Sequence, residues 1–183
     1  MGCTTETALT NVTFTCADKP KGGLDEIIVA RASAIDWTAA TDLLGEVDLS
    51  VALSITGATA RIDFNKKDGF SYAGTTYSGE PDGTDSYAPT VIVQLPRVDL
   101  AKLQSVESML GGFNELIVFV KARTGEEFAF GVDNGMFGSA LTTTTGTNTD
   151  KNVMELTFTG DEDSMERVLA TGSWDALVAA LVV

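Results

Sequence analysis

The chain has 183 residues, 12 basic against 26 acidic, a net charge of −14, no histidine and two cysteines. Without histidine there is no Ser-His-Asp or Cys-His catalysis, no histidine zinc site and no imidazole pH switch. The strong acidity argues against gripping phosphate backbones, which needs clustered Lys and Arg, and no apolar run approaches the ~18 residues of a membrane-spanning helix.

At the start, Cys3 has only two residues ahead of it, too few for a lipoprotein signal, and Glu6 stands where a myristoylation pattern needs Ser or Thr. The expectation is a chain folded in the cytoplasm with no membrane anchor. Cys3 and Cys16 have no third or fourth partner for a zinc or iron–sulfur framework, and whether they pair stays open. Val12, Phe14 and Cys16 alternate with threonines as a first strand, and Lys21-Gly22-Gly23 turns the chain into a second over Leu24–Arg31. From Glu46 to Thr56 the aliphatic set Val47, Leu49, Val51, Leu53 and Ile55 alternates with small, polar or acidic residues. That is the period of a strand buried on one face in an antiparallel sheet. Ala60, Ile62 and Phe64 continue the pattern, Lys67-Asp68-Gly69 makes a hairpin turn, and Phe70–Tyr77 follows as a strand.

Asp82–Pro89 is polar and turn-rich and reads as a loop before a strand over Thr90–Leu95 that stops at Pro96. The spacing of Leu100, Leu103, Val106 and Leu110 predicts a helix, capped by Asp99 and ended by Gly111-Gly112. Leu116–Val120 is apolar at every position, which predicts a central strand covered on both faces. Arg123-Thr124-Gly125 turns it into Glu127–Val132, with Phe128, Phe130 and Val132 on one side. The Thr- and Gly-rich segment Gly138–Asp150 reads as a long loop, and Met154, Leu156 and Phe158 mark the last clear strand. Trp174–Leu181, with Ser173 as N-cap, is a short C-terminal helix striped by Trp174, Leu177, Val178 and Leu181. The sum is eight or nine strands: a mostly β chain, an antiparallel β-sandwich or barrel with one flanking helix and a short C-terminal helix.

No catalytic, cofactor-binding or metal residue is expected. The acidic run Asp161, Glu162, Asp163 and Glu166 lacks calcium-loop spacing and reads as a solvated turn, as does Glu80–Asp85. Glu46 and Asp48 share a strand face at a spacing that suits paired-carboxylate chemistry, but no aromatic platform for a sugar accompanies them. There is no Gly-x-Ser-x-Gly elbow and no phosphate loop, and the glycines of GVDNGMFG read as turn residues.

The order LPR, DLAKLQSVESML, ELIVFVK, RTGE, FAFGVDNGM, TTTTGTNTD, LTFTGDE, preceded by MGCTTETALTNVTFTC and KGGLDEIIVAR, resembles a family of small virion proteins of phages infecting Bacteroidota, identified with tail tube or related tail structural proteins. The likeness spans Leu95–Glu162 and, more loosely, the first 35 residues. It implies a tail-tube β fold, a homo-oligomeric ring, usually hexameric, stacked into a genome conduit, no cofactor, other tail or neck proteins as partners, and a place in the virion tail after synthesis in the host bacterium. DNA would pass without specific binding, since a negative lumen does not hold a negative backbone.

On that reading residues 1–160 form the tube-like domain and 161–183 a C-terminal arm. Glu46, Asp48, Ser50 and Ser54 are expected to face a lumen or solvent. Thr142, Thr144 and Thr147 in the loop, and Trp174, Leu177, Val178 and Leu181 in the tail, are expected as subunit-contact arms; the tail stripe could instead cover the chain's own sheet. Two alternatives stand beside it: a ring or collar component of a short tail, which would use the same fold in a different symmetry, and, from another class, a carbohydrate- or peptide-binding β-sandwich module of adhesin type. The latter's aromatic candidates are Trp37, Tyr72, Tyr77 and Tyr87.

Overall fold

The computed structural model describes residues 23–35, 41–43, 46–48, 59–62, 64, 71–79, 85–96, 100–110, 115–144 and 153–179. Within them, strand β1 covers Leu24–Arg31 and is followed by a short 3-10 turn, Ala32–Ala34. Three short strands come next: β2 (Thr41–Leu43), β3 (Glu46–Asp48) and β4 (Thr59–Arg61). A long hairpin pairs β5 (Tyr72–Gly79) with β6 (Asp85–Pro96). Helix α1 spans Leu100–Leu110, then β7 (Leu116–Ala122), β8 (Glu127–Phe130), β9 (Met136–Thr144), β10 (Val153–Gly160) and β11 (Arg167–Leu169) lead to helix α2 (Ser173–Ala179). The chain is therefore mostly antiparallel β sheet with two helices. The strands run β2-β3-β11-β8-β7-β9-β10-β6-β5 in an open sheet, and β1 joins β4 to β7 off this path.

β7 organises the core. Its alternate residues Leu116, Val118 and Val120 enter one cluster, Ile117 and Phe119 a second, and all five are buried. An unbroken apolar run has this consequence, because successive side chains leave opposite faces of a strand. The first cluster joins β1, β7 and β8 (Ile27, Val29, Phe130) to β6, β9 and β10 (Val91, Val93, Met136, Met154, Leu156, Phe158). The second lies on the other side of β1, β7 and β8, where Ile28, Ile117, Phe119 and Ala129 meet Leu169, Trp174 and Leu177.

Helix α1 closes the first cluster: Val106 is buried, with Leu103 and Leu110 packed against it. Leu100, expected in the same stripe, is 71% exposed. The glycine opposite the helix has a steric reason: a Cβ on Gly138 would lie 1.8 Å from Leu110 Cδ2. α2 has seven residues, too few to be stable alone, so docking of Trp174 and Leu177 is what holds it.

Several sequence expectations are corrected. Asp82–Pro89 is not a loop throughout, since Asp85–Pro89 extends β6 and pairs with Thr75–Gly79. Gly138–Asp150 is not a loop from its start: Gly138–Thr144 continues β9, paired with β10. The threonine run reads as polar, yet β-branched residues suit a pleated strand. Val132 does not share the side of Phe128 and Phe130 but packs against the second cluster, beyond Gly131 at φ +83°, where the chain bends. β3 pairs antiparallel with β2 but parallel with β11. Leu24–Arg31, the helix Leu100–Leu110 and the Arg123–Gly125 turn match their expected places, the last with Gly125 at φ +97°. The first strand, the Lys67–Gly69 turn and positions 49–56 lie outside the described residues.

Candidate interaction surface

The residues expected to carry function fall in different places. Glu46 and Asp48 stand in β3, opposite Val168 of β11 and Thr41 of β2; Ser50 and Ser54 lie outside the described residues. Thr142 and Thr144 are in β9, opposite Glu155 and Val153 of the same chain, and Thr147 lies outside the described residues. Trp174 and Leu177 are buried in the chain's own second core, Val178 is 38% exposed, and Leu181 lies outside the described residues. β11 and α2 thus belong to the same sheet and core as the strands before residue 160.

Among the described residues β2, β4 and β5 each pair on one side only, and β5 is the longest of the three. Among the described residues β5 pairs with β6 alone, and its other edge has no strand partner. Its sequence, YAGTTYSG, has no charge and no proline. Natural edge strands are usually blunted by lysine, proline or a bulge. Pairing registers place Tyr72, Ile92, Thr157 and Ala140 in one row across β5, β6, β10 and β9, and Gly74, Thr90, Thr159 and Phe137 in the next. These residues point away from the first core, because their alternates Val91, Val93, Leu156 and Phe158 fill it. Tyr72 is 54% exposed and Phe137 44%. Tyr72 lies flat over Gly74, whose added Cβ would sit 2.4 Å from the tyrosine hydroxyl.

Tyr77, on the opposite face of β5, is exposed and packs against Tyr87 with ring centroids 5.3 Å apart. Its hydroxyl donates to Asp85 Oδ1 at 2.8 Å, and that bond, with the aspartate's charge, raises the phenol above its ordinary pKa. Of the adhesin-type aromatics, Tyr72 and Tyr77 are exposed, Tyr87 is half-buried, and Trp37 lies outside the described residues.

The acidic run is not a solvated turn throughout. Glu162 is 6% exposed, and its carboxylate accepts from the backbone N–H of Asp133 at 2.7 Å and of Asn134 at 3.0 Å. Its own backbone bridges Tyr87 in both directions. Desolvation pushes its carboxyl above the usual range, opposed by the backbone donors of Asp133, Asn134 and Gly135. Glu162 therefore ties the β8–β9 bend to the start of β6. Asp133 also receives the Ser164 hydroxyl and lies 3.7 Å from Arg167. Nothing in the sequence spacing marks Glu162 apart from its acidic neighbours, since a backbone nest leaves no side-chain signature.

A cleft of about 410 Å3 opens between the β7–β8 turn, β11 and α2, lined by Lys121, Glu127, Val168, Trp174 and Asp175 among others. Lys121 Nζ sits 2.5 Å from Glu127 Oε1 and 5.4 Å from the Trp174 ring centre. The Glu127 bond holds its ammonium above the ordinary pKa. The Trp174 indole N–H donates to Glu26 Oε2, which shares its carboxylate with Arg61 at 2.9 Å. Among the described residues no cluster of three or more Cys, Asp or Glu could hold a metal ion, and no helix is long and apolar enough to cross a membrane. The chain matches no protein-family model, no curated protein and no solved structure.

Proposed function

We propose that this chain is a structural protein of a phage virion, a tail tube subunit that assembles into stacked rings around a genome conduit. On this reading the fold is a β-sandwich of the tube type. β4, β1, β7, β8, β11, β3 and β2 make one wall and β9, β10, β6 and β5 the other, with the first core between them. The supporting observation is the β5 edge, eight residues without a charge at the end of an open sheet, in a chain of net charge −14. Such an edge templates strand addition, and a neighbouring subunit is the partner a ring supplies. The residual negative charge would let DNA pass without sticking, and the protein needs no cofactor and no catalysis. A ring or collar component of a short tail would use the same edge in a different symmetry.

The Trp174 and Lys121 cleft favours a second reading, a ligand-binding module that works as a monomer. Light scattering on the full chain separates the two. Masses at whole multiples of the subunit, growing with concentration, support assembly. A monomer up to the solubility limit overturns it.

A further inference from the structure

We propose that the outer face of β9, β10, β6 and β5 is a docking surface for a second copy of this chain, continuous with the β5 edge; the proposal rests on the assembly reading and adds where the copies meet. Among the described residues that point outward from these four strands, Glu155 alone carries a charge, and its carboxylate accepts from Gln94 Nε2 at 2.9 Å. The rest of the face is built from residues such as Tyr72, Ile92, Phe137, Ala140 and Thr157.

Charge selects the occupant. A basic partner is drawn to the acidic remainder of the surface, and nucleic acid or an anionic membrane is repelled by it. A second copy carries the same −14 and meets the least repulsion where charge is absent. A second copy seated along this face would exclude water and salt from the contact, while acids elsewhere stay screened over a Debye length of about 8 Å.

Continuity points the same way. Tyr72 and Gly74 belong to both the edge and the face, so a strand added at β5 carries its own subunit alongside these rows. By strand spacing and rise the face offers roughly 500 Å2, short of the ~800 Å2 per partner of a standard interface, so face and edge together make the contact.

The test places a carboxylate in the middle of the face. Thr157→Glu leaves the core untouched, because Thr157 points outward between the buried Leu156 and Phe158. Gln104→Glu, at an exposed position of α1, adds the same charge elsewhere. Light scattering over a dilution series, with circular dichroism, reads both. Thr157→Glu should weaken association at least about a hundredfold with an unchanged spectrum, since an unpaired carboxylate buried in a contact costs several kcal/mol. Gln104→Glu should assemble as the parent does. If Thr157→Glu loses its spectrum, Phe137→Ser, changed at an exposed ring, takes its place with the same expected direction. A parent that assembles, with face variants that assemble equally well, overturns the docking surface and leaves the assembly reading standing. A parent that stays monomeric removes both.

Discussion

Replacing Leu177 by alanine tests whether the C-terminal segment is part of the subunit's core. Leu177 is fully buried, in a cluster with Ile28, Ile117, Phe119, Leu169 and Trp174. The β7 residues of that cluster are pinned by packing on both faces of their strand, so the site has little freedom to collapse around a lost side chain. Truncations of this kind cost about 2–5 kcal/mol, and a site that relaxes poorly belongs in the upper half, about 3–5 kcal/mol. Urea unfolding of the full chain, followed by tryptophan fluorescence, measures it, since Trp174 lies in the same cluster. The midpoint should fall with the slope unchanged. Val178→Ala, one residue on and partly exposed, should cost less than about 1 kcal/mol. A Leu177→Ala chain as stable as its parent would mean that α2 does not dock in solution and is free to act as an arm. The same packing predicts that deleting residues 172–183 destabilises the subunit, by uncovering Ile28, Ile117 and Phe119.

Gly138→Ala puts a methyl group against the end of the Leu110 side chain, which can swing aside, so the cost in urea should stay below about 1 kcal/mol; a larger loss would mean that Leu110 is held rigidly over β9. Leu103→Ala, half-buried against the first core, should cost about 1–2 kcal/mol, and a loss near zero would show a mobile helix. Burial raises the Glu162 carboxyl, so its contribution to stability is full below the ordinary carboxyl pKa of 4.5 and is lost as pH rises through the folded value. The stability of the parent relative to Glu162→Gln should therefore rise on acidification from neutral pH, and a fall would contradict the burial. Asn134-Gly135 is the sequence's one Asn-Gly pair; Glu162 holds the backbone on both sides of it, and the Asn134 amide donates to Asp161 O at 3.0 Å. Intact-mass measurement should show slow deamidation in the parent and faster deamidation in Glu162→Gln; equal rates would remove the restraint.

The parts of the fold legible in sequence are those where one periodicity dominates. Leu24–Arg31, Leu100–Leu110 and Leu116–Val120 carry strong apolar patterns, and their places follow from burial alone. β9 was hidden because Leu141 is the single large aliphatic among the threonines of its second half, and its strand state comes from pairing with β10 rather than from burial. The early part of β6 was hidden for a similar reason: Asp85, Ser86 and Pro89 read as turn residues, and the partner that makes them a strand is Thr75–Gly79. Leu100 fits the helical stripe but stands a turn too early to reach the core. The uncharged face needed registers across four strands, since Phe137, Ile92 and Tyr72 are far apart in the chain and each alone looks like an ordinary strand residue. Glu162 was illegible because its partners are backbone N–H groups, present at nearly every residue of any sequence.

Negative-stain micrographs of the purified full chain show whether it assembles into rings. Closed rings are expected, with stacked rings or short tubes at higher protein concentration, and their loss in Thr157→Glu. A field of separate particles of single-subunit size at every concentration would contradict assembly.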